Sequence, residues 1–366
     1  MPQIDLRPVL DLLARVALIM AGVTIVWRTM LSAVRTFVLP RSAPDAIASF
    51  VFRNILKLFA WRTRHTVTYD ERDTLMAMYA PTAMIALPVL WFALVMIGYA
   101  LVYWALGEPR LDDAVMISGY SLLTLGFKSS GTLVRDLFEF SEAIFGLILI
   151  GLLISYLPTM YSAFSRRETL VTLLDVRAGS PPAAVELLSR AYRIRGLETL
   201  EGLFREWEVW FAEVQESHTS LTPLVFFRSS LPHHSWITAA GAVLDSAALY
   251  WSVIDQPQLP QAALCIRAGY LCLRHIADYF ALPYPTNPES NDLIAIGQDE
   301  FNEAIEQLRS VGVPLKTDLD QAWRDFAGWR VNYDAVLIQL AQLTQAPYAP
   351  WSSDRGLPGL KPSAGD

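Results

Sequence analysis

Residues 80–106 read APTAMIALPVLWFALVMIGYALVYWAL, and no Asp, Glu, Lys or Arg occurs between Asp73 and Glu108. A helix rises about 1.5 Å per residue and needs about 20 apolar residues to cross the hydrocarbon core of a bilayer. This stretch meets that length with tilt to spare. Tyr103 and Trp104 near its end are amphipathic rings of the kind that settle at a membrane–water interface. A second charge-free stretch, residues 143–165, is built on Ile144, Phe145, Leu147, Ile148, Leu149 and Ile150 and stops at Arg166 and Arg167. The two stretches predict two spanning helices.

Composition agrees. Of 366 residues 53% are hydrophobic and 18% charged, and mean hydropathy is +0.31. A soluble domain carries about 25% charged residues. Twenty-nine Lys and Arg against 36 Asp and Glu leave a net charge of −7. That argues against a nucleic-acid binder, which needs a basic face to displace counterions from phosphates. Two cysteines cannot frame a disulfide scaffold.

Working outward, residues 10–27 form a weaker apolar stretch carrying Asp11 and Arg15, which pair at i,i+4 on a helix. It reads as a first span, or else as a helix lying in the interface. Residues 28–73 hold Arg28, Arg35, Arg41, Arg53, Lys57, Arg62, Arg64 and Arg72. Within them, residues 46–61 are amphipathic, with Ile47, Phe50, Val51, Ile55 and Phe59 predicted on one side. Basic loops stay cytoplasmic, which puts residues 107–142 outside and the C-terminal half in the cytoplasm. The expected location is a prokaryotic inner (plasma) membrane, crossed more than once.

The outer segment is too apolar for a plain loop. Ala114, Val115, Met116, Ile117, Leu122, Leu123, Leu125 and Phe127 make a stretch of about 14 residues, too short to cross and suited to a re-entrant helix. Asp112 and Asp113 open it, where carboxylates favour a helix N-terminus. A helix that enters from outside and ends partway turns its carbonyl end inward, which suits a cation.

Residues 121–127, Ser-Leu-Leu-Thr-Leu-Gly-Phe, resemble the pore signature of the potassium-channel, or pore-loop, superfamily, whose filter reads T-x-G-Y/F-G. Phe138, Glu142 and Gly146 resemble that family's pattern at the start of its inner helix. The resemblance covers under a quarter of the chain, in the order outer helix, pore helix, filter, inner helix. It implies that Thr124, Leu125, Gly126, Phe127 and Lys128 form an ion-conducting filter whose carbonyls replace an ion's water shell. Asp112, Asp113, Glu142 and Gly146 would support it. It also implies a homotetramer, because each chain carries one pore segment, with potassium or sodium as the permeant ion.

Lys128 stands where the family has its second filter glycine, and Ser129 where an Asp usually follows. A glycine reaches positive φ without strain and a lysine does not. Four ammonium groups around one outer mouth also repel cations and work against potassium selectivity. Glu142 has a second reading, a pair with Arg135 that ties the loop down. Gly146 and Gly151 allow close helix packing or a hinge. Pro158 either kinks the last span or ends it.

From Glu168 the composition becomes that of a soluble, helical domain, with apolar positions recurring at three or four residues. Val185, Leu188, Ala191 and Ile194 show it, as do Leu200, Phe204, Trp207, Trp210, Phe211 and Val214. Residues after Ala346 are rich in Pro, Gly and Ser and are predicted disordered. The chain therefore divides into an N-terminal helix and basic linker (1–78), a pore module (79–165), a helical cytoplasmic domain (166–346) and a tail (347–366).

No dinucleotide-binding fingerprint, Walker loop, nucleophile elbow or zinc-protease motif occurs. Cys265, Cys272 and His275 share a predicted helix face but read better as core thiols than as a metal site. His218, His233 and His234 lack a fourth ligand. No metal, no cofactor and no enzyme activity are expected, and nothing in the helical half names a ligand. The residues point to an all-α membrane protein, a tetrameric pore-loop cation channel assembled or gated by a helical domain. The rival is a membrane-anchored sensor or scaffold that does not conduct.

Overall fold

The computed structural model describes residues 7–37, 45–63, 69–126, 132–194 and 196–355. Among these residues the structure is helical, with no strand and one isolated antiparallel bridge between Ile254 and Leu315. Three helical stretches, Arg7–Phe37, Glu71–Ala105 and Leu133–Ala178, are long and apolar enough to cross a membrane. The chain divides into two compact units, Met1–Arg62 with Met78–Tyr161, and Thr63–Ala77 with Ser162–Asp366.

In the first unit, α1 (Arg7–Phe37) carries the expected Arg15–Asp11 pair at 3.0 Å. It runs ten residues past the predicted end at Trp27, because no Gly or Pro interrupts residues 23–38. It packs on α4 (Tyr79–Ala105) through two glycines. A Cβ built on Gly98 would lie 2.7 Å from Val26 Cγ2 and 2.9 Å from Gly22 O. Helix backbones approach this closely only where side chains are missing.

The buried Trp91 indole of α4 donates to Ser32 Oγ of α1 at 3.0 Å, and Ser32 donates to Asp45 Oδ2 at 2.6 Å. Asp45 also accepts from Ala48 N at 2.8 Å and so caps α2 (Ala46–Thr63). This relay satisfies a buried N–H and ties three helices together. On α2, Val51 is buried and Ile47 and Ile55 pack beside it, at four-residue spacing. Phe50, expected on that same side, is exposed, because it lies about 100° from Val51 around the helix.

Next come α5 (Leu111–Leu122) and α6 (Leu133–Ala178). Pro158 lies inside α6, which continues for twenty residues beyond it, so this proline does not end the helix. Residues of α6 up to Tyr161 belong to the first unit and those from Ser162 to the second. α3 (Tyr69–Ala77) also belongs to the second.

The second unit is built around α9 (Trp236–Val253), which is buried along nearly its whole length. Its neighbours are α7 (Ala184–Ile194), α10 (Pro260–Tyr279) and α12 (Leu319–Arg330). α8 (Leu200–Ser220) packs on α10, α11 (Gln298–Val311) packs on α7, and α13 (Asp334–Thr344) contacts α9 and α10. Trp207, Trp210 and Phe211 of α8, the aromatic stripe of the sequence, are core residues.

One buried ionic cluster joins three of these elements. Arg330 donates from Nε to Asp334 Oδ1 at 2.8 Å, and also to Asp245 of α9 and to the carbonyl of Trp351. Tyr333 donates to Asp245 Oδ1 at 2.8 Å. This corrects the predicted loose tail over residues 347–355. Ala349, Ser352 and Ser353 are buried, a 3₁₀ turn spans Ser353–Arg355, and the Trp351 carbonyl satisfies a buried guanidinium. The rest of the tail, 356–366, lies outside the described residues.

The segment around Phe226–Ser230 is held by two arginines. Arg167 of α6 donates to Leu224 O at 2.8 Å and Phe227 O at 2.7 Å. Arg228 donates to Asp73 and to the carbonyls of Thr344 and Gln345 at 3.0 and 2.9 Å. The same Arg167 lies 3.1 Å from Nε2 of buried His218, whose Nδ1 is 3.1 Å from Ser217 Oγ. Burial first, and then the Arg167 charge, push the His218 pKa well below 6.5.

The unfolded chain binds a proton at about pH 6.5 that this folded imidazole refuses. Stability from this site is complete above about pH 6.5 and falls by up to about 1.4 kcal/mol per pH unit below it. His218→Gln should flatten that part of the slope when denaturation midpoints are followed from about pH 7 to 5. An unchanged slope would remove His218 as its source.

Candidate functional site

Of the sequence-predicted site residues, Asp112 and Asp113 lie on one short helix, Thr124, Leu125 and Gly126 just past its end, and Glu142 and Gly146 on the helix that follows. α5 starts from Arg110 in extended backbone (φ −125°, ψ 138°), with Asp112 and Asp113 in its first turn. The chain reaches it through a tight turn at the end of α4. Gly107 has φ +101°, its N–H bonds Trp104 O at 3.1 Å, and Glu108 N bonds Tyr103 O at 3.1 Å. Only glycine adopts that φ cheaply at a helix end. Arg135 of α6 pins this turn, donating to Leu106 O at 2.8 Å and Glu108 at 3.2 Å.

α5 ends in a Schellman cap. Thr124 N bonds Ser121 O at 2.9 Å and Leu125 N bonds Tyr120 O at 2.8 Å. Thr124 therefore takes a left-handed φ of 56°, and Gly126 follows at φ 70°. A β-branched residue held there costs about 1–3 kcal/mol, a strain that clusters at functional sites. A Cβ on Gly126 would meet no atom within 4 Å, so the conformation rather than space calls for glycine there. Thr124, Leu125 and Gly126 are all exposed, and their carbonyls lie beyond those used by the cap. Phe127 and Lys128 lie outside the described residues.

Glu142 is the centre of what holds α5 in place. Its side chain is buried and accepts from Tyr103 Oη of α4 at 2.8 Å and from Ser118 Oγ of α5. Ser118 is also 3.0 Å from Met96 O of α4. Nearby, Tyr99 and Ser141 hydroxyls are 2.7 Å apart, and Ser121 donates to Glu139 O at 2.6 Å. One level lower, a Cβ on Gly146 would run into the carbonyl of Leu122, the last residue of α5. Glu142 and Gly146 thus seat one helix at two successive turns.

The alternative Glu142–Arg135 pair does not form, because seven residues along one helix separate the two by about 10 Å of rise. Ser118 and Tyr103 were missed as partners. A carboxyl at the very edge of an apolar stretch signals that partners exist, but which hydroxyls reach it depends on how α4 and α5 cross. Around Gly151 a Cβ would meet nothing within 4 Å, so packing within one chain does not explain that glycine.

Cys265 and Cys272 are buried free thiols whose pKa burial pushes up, whereas His275 on the same helix is exposed. The three do not converge, and among the described residues no group of His, Cys, Asp and Glu could hold a metal ion. The second unit also holds an open groove of about 470 Å³ lined by Val176, Arg190, Ile194, Leu200, Leu203 and Glu206, among others. No nucleophile with a base beside it lines that groove. Comparison with family models, curated proteins and solved structures finds no match to this chain.

Proposed function

We propose that the chain is one subunit of a pore-loop cation channel, four copies of which surround a single conduction path. The observation that carries this reading is the short helix α5 between two spans. It ends after 12 residues in a cap that hands over to Thr124 and Gly126, both at positive φ. Alternating left-handed backbone turns successive carbonyls towards one side, as ion coordination needs. The buried carboxyl of Glu142 and the bare backbone of Gly146 supply the rigid seat that such a segment requires.

In this reading potassium or sodium passes along the carbonyls that begin at Thr124, and α6 lines the inner vestibule. Exposed Ser155 and Thr159, one turn apart on α6, would line that vestibule. The helical unit lies in the cytoplasm of a prokaryotic cell and assembles or gates the pore. α6 gives it a covalent lever, since the helix enters that unit without a break and Arg167 anchors it to the Leu224–Phe227 carbonyls.

Ion flux in proteoliposomes under potassium, sodium and chloride gradients tests the proposal. Cation flux should fall at least tenfold in Gly126→Asp, and Lys128→Gly should raise cation conductance or potassium preference. Flux indifferent to both substitutions would place conduction elsewhere. The replacement of the family's second filter glycine by Lys128 favours the rival reading of a non-conducting scaffold. A monomer in mild detergent would support that rival, because one pore segment cannot enclose a path.

A further inference from the structure

The exposed face of α2 is the feature that the pore leaves unused. Phe50, Leu58 and Trp61 are each 58% exposed, and Arg53, Lys57 and Arg62 are exposed among them. The other face is committed. Val51 is buried with Val26, Met30 and Leu87, the Phe52 carbonyl accepts from Tyr79 Oη at 3.2 Å, and Asp45 ties the helix start to Ser32. α2 is therefore fixed beside the last turns of α1 and the first turns of α4, both of which are long and apolar enough to cross a membrane.

We infer that α2 lies in the membrane interface and docks on anionic phospholipid headgroups. Water alone is a poor neighbour for an exposed Phe, Leu and Trp on one short helix. The hydrocarbon core is a poor neighbour for three cations. The headgroup boundary accommodates both: the rings and Leu58 enter the acyl margin while the Arg and Lys stems snorkel to phosphates. A second copy of the same face would oppose like charges, whereas a negatively charged leaflet complements them. This inference rests on α1 and α4 spanning a bilayer and not on conduction.

The two native thiols are buried, so a single introduced cysteine takes a fluorophore cleanly. Full-length Leu58→Cys is labelled and reconstituted in phosphatidylcholine vesicles with and without phosphatidylglycerol. Two controls accompany it: Leu293→Cys at a fully exposed loop position and Ile97→Cys at an exposed position within α4. The 58 probe should resist iodide at least threefold better than the 293 probe. Nitroxide near the headgroup of phosphatidylglycerol should quench it at least twofold more than the same nitroxide on phosphatidylcholine. Arg53→Gln, Lys57→Gln and Arg62→Gln together should erase that preference, each basic residue being worth about fivefold at an anionic surface.

Iodide access equal to that of the 293 probe would overturn the inference. So would protection from both quenchers, which means that protein covers the face. Equal quenching by the two lipids would overturn the anionic recognition. A 97 probe open to iodide would instead overturn the spans themselves, which separates that failure from failure at α2.

Discussion

Arg330→Ala should unfold the helical C-terminal unit at denaturant concentrations that leave the wild type intact, with a loss of about 3–5 kcal/mol. The side chain is fully buried and is the shared partner of Asp245, Asp334 and the Trp351 carbonyl. Truncation leaves two carboxylates and a carbonyl facing an apolar cavity without their cation. A helical unit stable by about 5–15 kcal/mol loses a large share of its margin. Asp245→Asn keeps an acceptor for Tyr333 and Arg330 and should cost less. Denaturation of the full chain in detergent, followed by far-UV circular dichroism, separates these cases. Equal midpoints for Arg330→Ala and wild type would mean that the cluster contributes nothing net.

Gly146→Ala should lower both stability and any cation flux, whereas Gly151→Ala should lower neither. At Gly146 the new methyl meets the Leu122 backbone, with the carbonyl carbon 3.2 Å and Cδ1 3.3 Å away. Backbone cannot rotate out of the way as a side chain can, so α5 must shift off α6. Overpacking of this kind costs about 1–3 kcal/mol. The shift reaches Thr124 and Gly126 two to four residues later, and under the channel reading proposed above flux should fall at least tenfold. At Gly151 no atom lies within 4 Å, and alanine improves helix propensity by up to about 1 kcal/mol. Flux measured beside thermal melting distinguishes the two roles. Loss of flux at Gly151→Ala with unchanged melting would make Gly151 a hinge and weaken the assignment of Gly146 as the seat.

Much of the fold is legible along the chain because its strongest signals are local. The charge-free stretches at 80–106 and 143–165 need no partner to declare themselves, since bilayer thickness alone converts length into a span. The i,i+4 pair of Asp11 and Arg15, the carboxylates at the start of α5 and the helical periodicity after Glu168 are likewise set within a few residues of backbone. The failures have a common cause. Phe50 groups with Val51 on one side of α2 by its hydrophobicity, yet it is exposed, because hydrophobicity says that a residue can be buried, not that a neighbour stands there. Residues 347–355 look like tail by composition, yet they complete the shell of a buried Arg330 that lies 21 residues upstream of Trp351. Glu142 was offered Arg135 along its own helix, whereas its partners, Tyr103 and Ser118, arrive on two other helices.

By itself the sequence determines an all-helical chain with apolar stretches long enough to cross a bilayer, and the place of a short interrupted helix between two of them. Those are consequences of period, length and charge, which act on adjacent residues. Tertiary structure alone decided which hydroxyls surround Glu142, which glycine a neighbouring backbone presses on, and which arginines are consumed by carbonyls inside the fold. Such contacts join residues dozens of positions apart, as Tyr103 to Glu142 and Asp245 to Arg330. A buried polar group dictates that partners must be found, but only the crossing of helices dictates which ones are within reach.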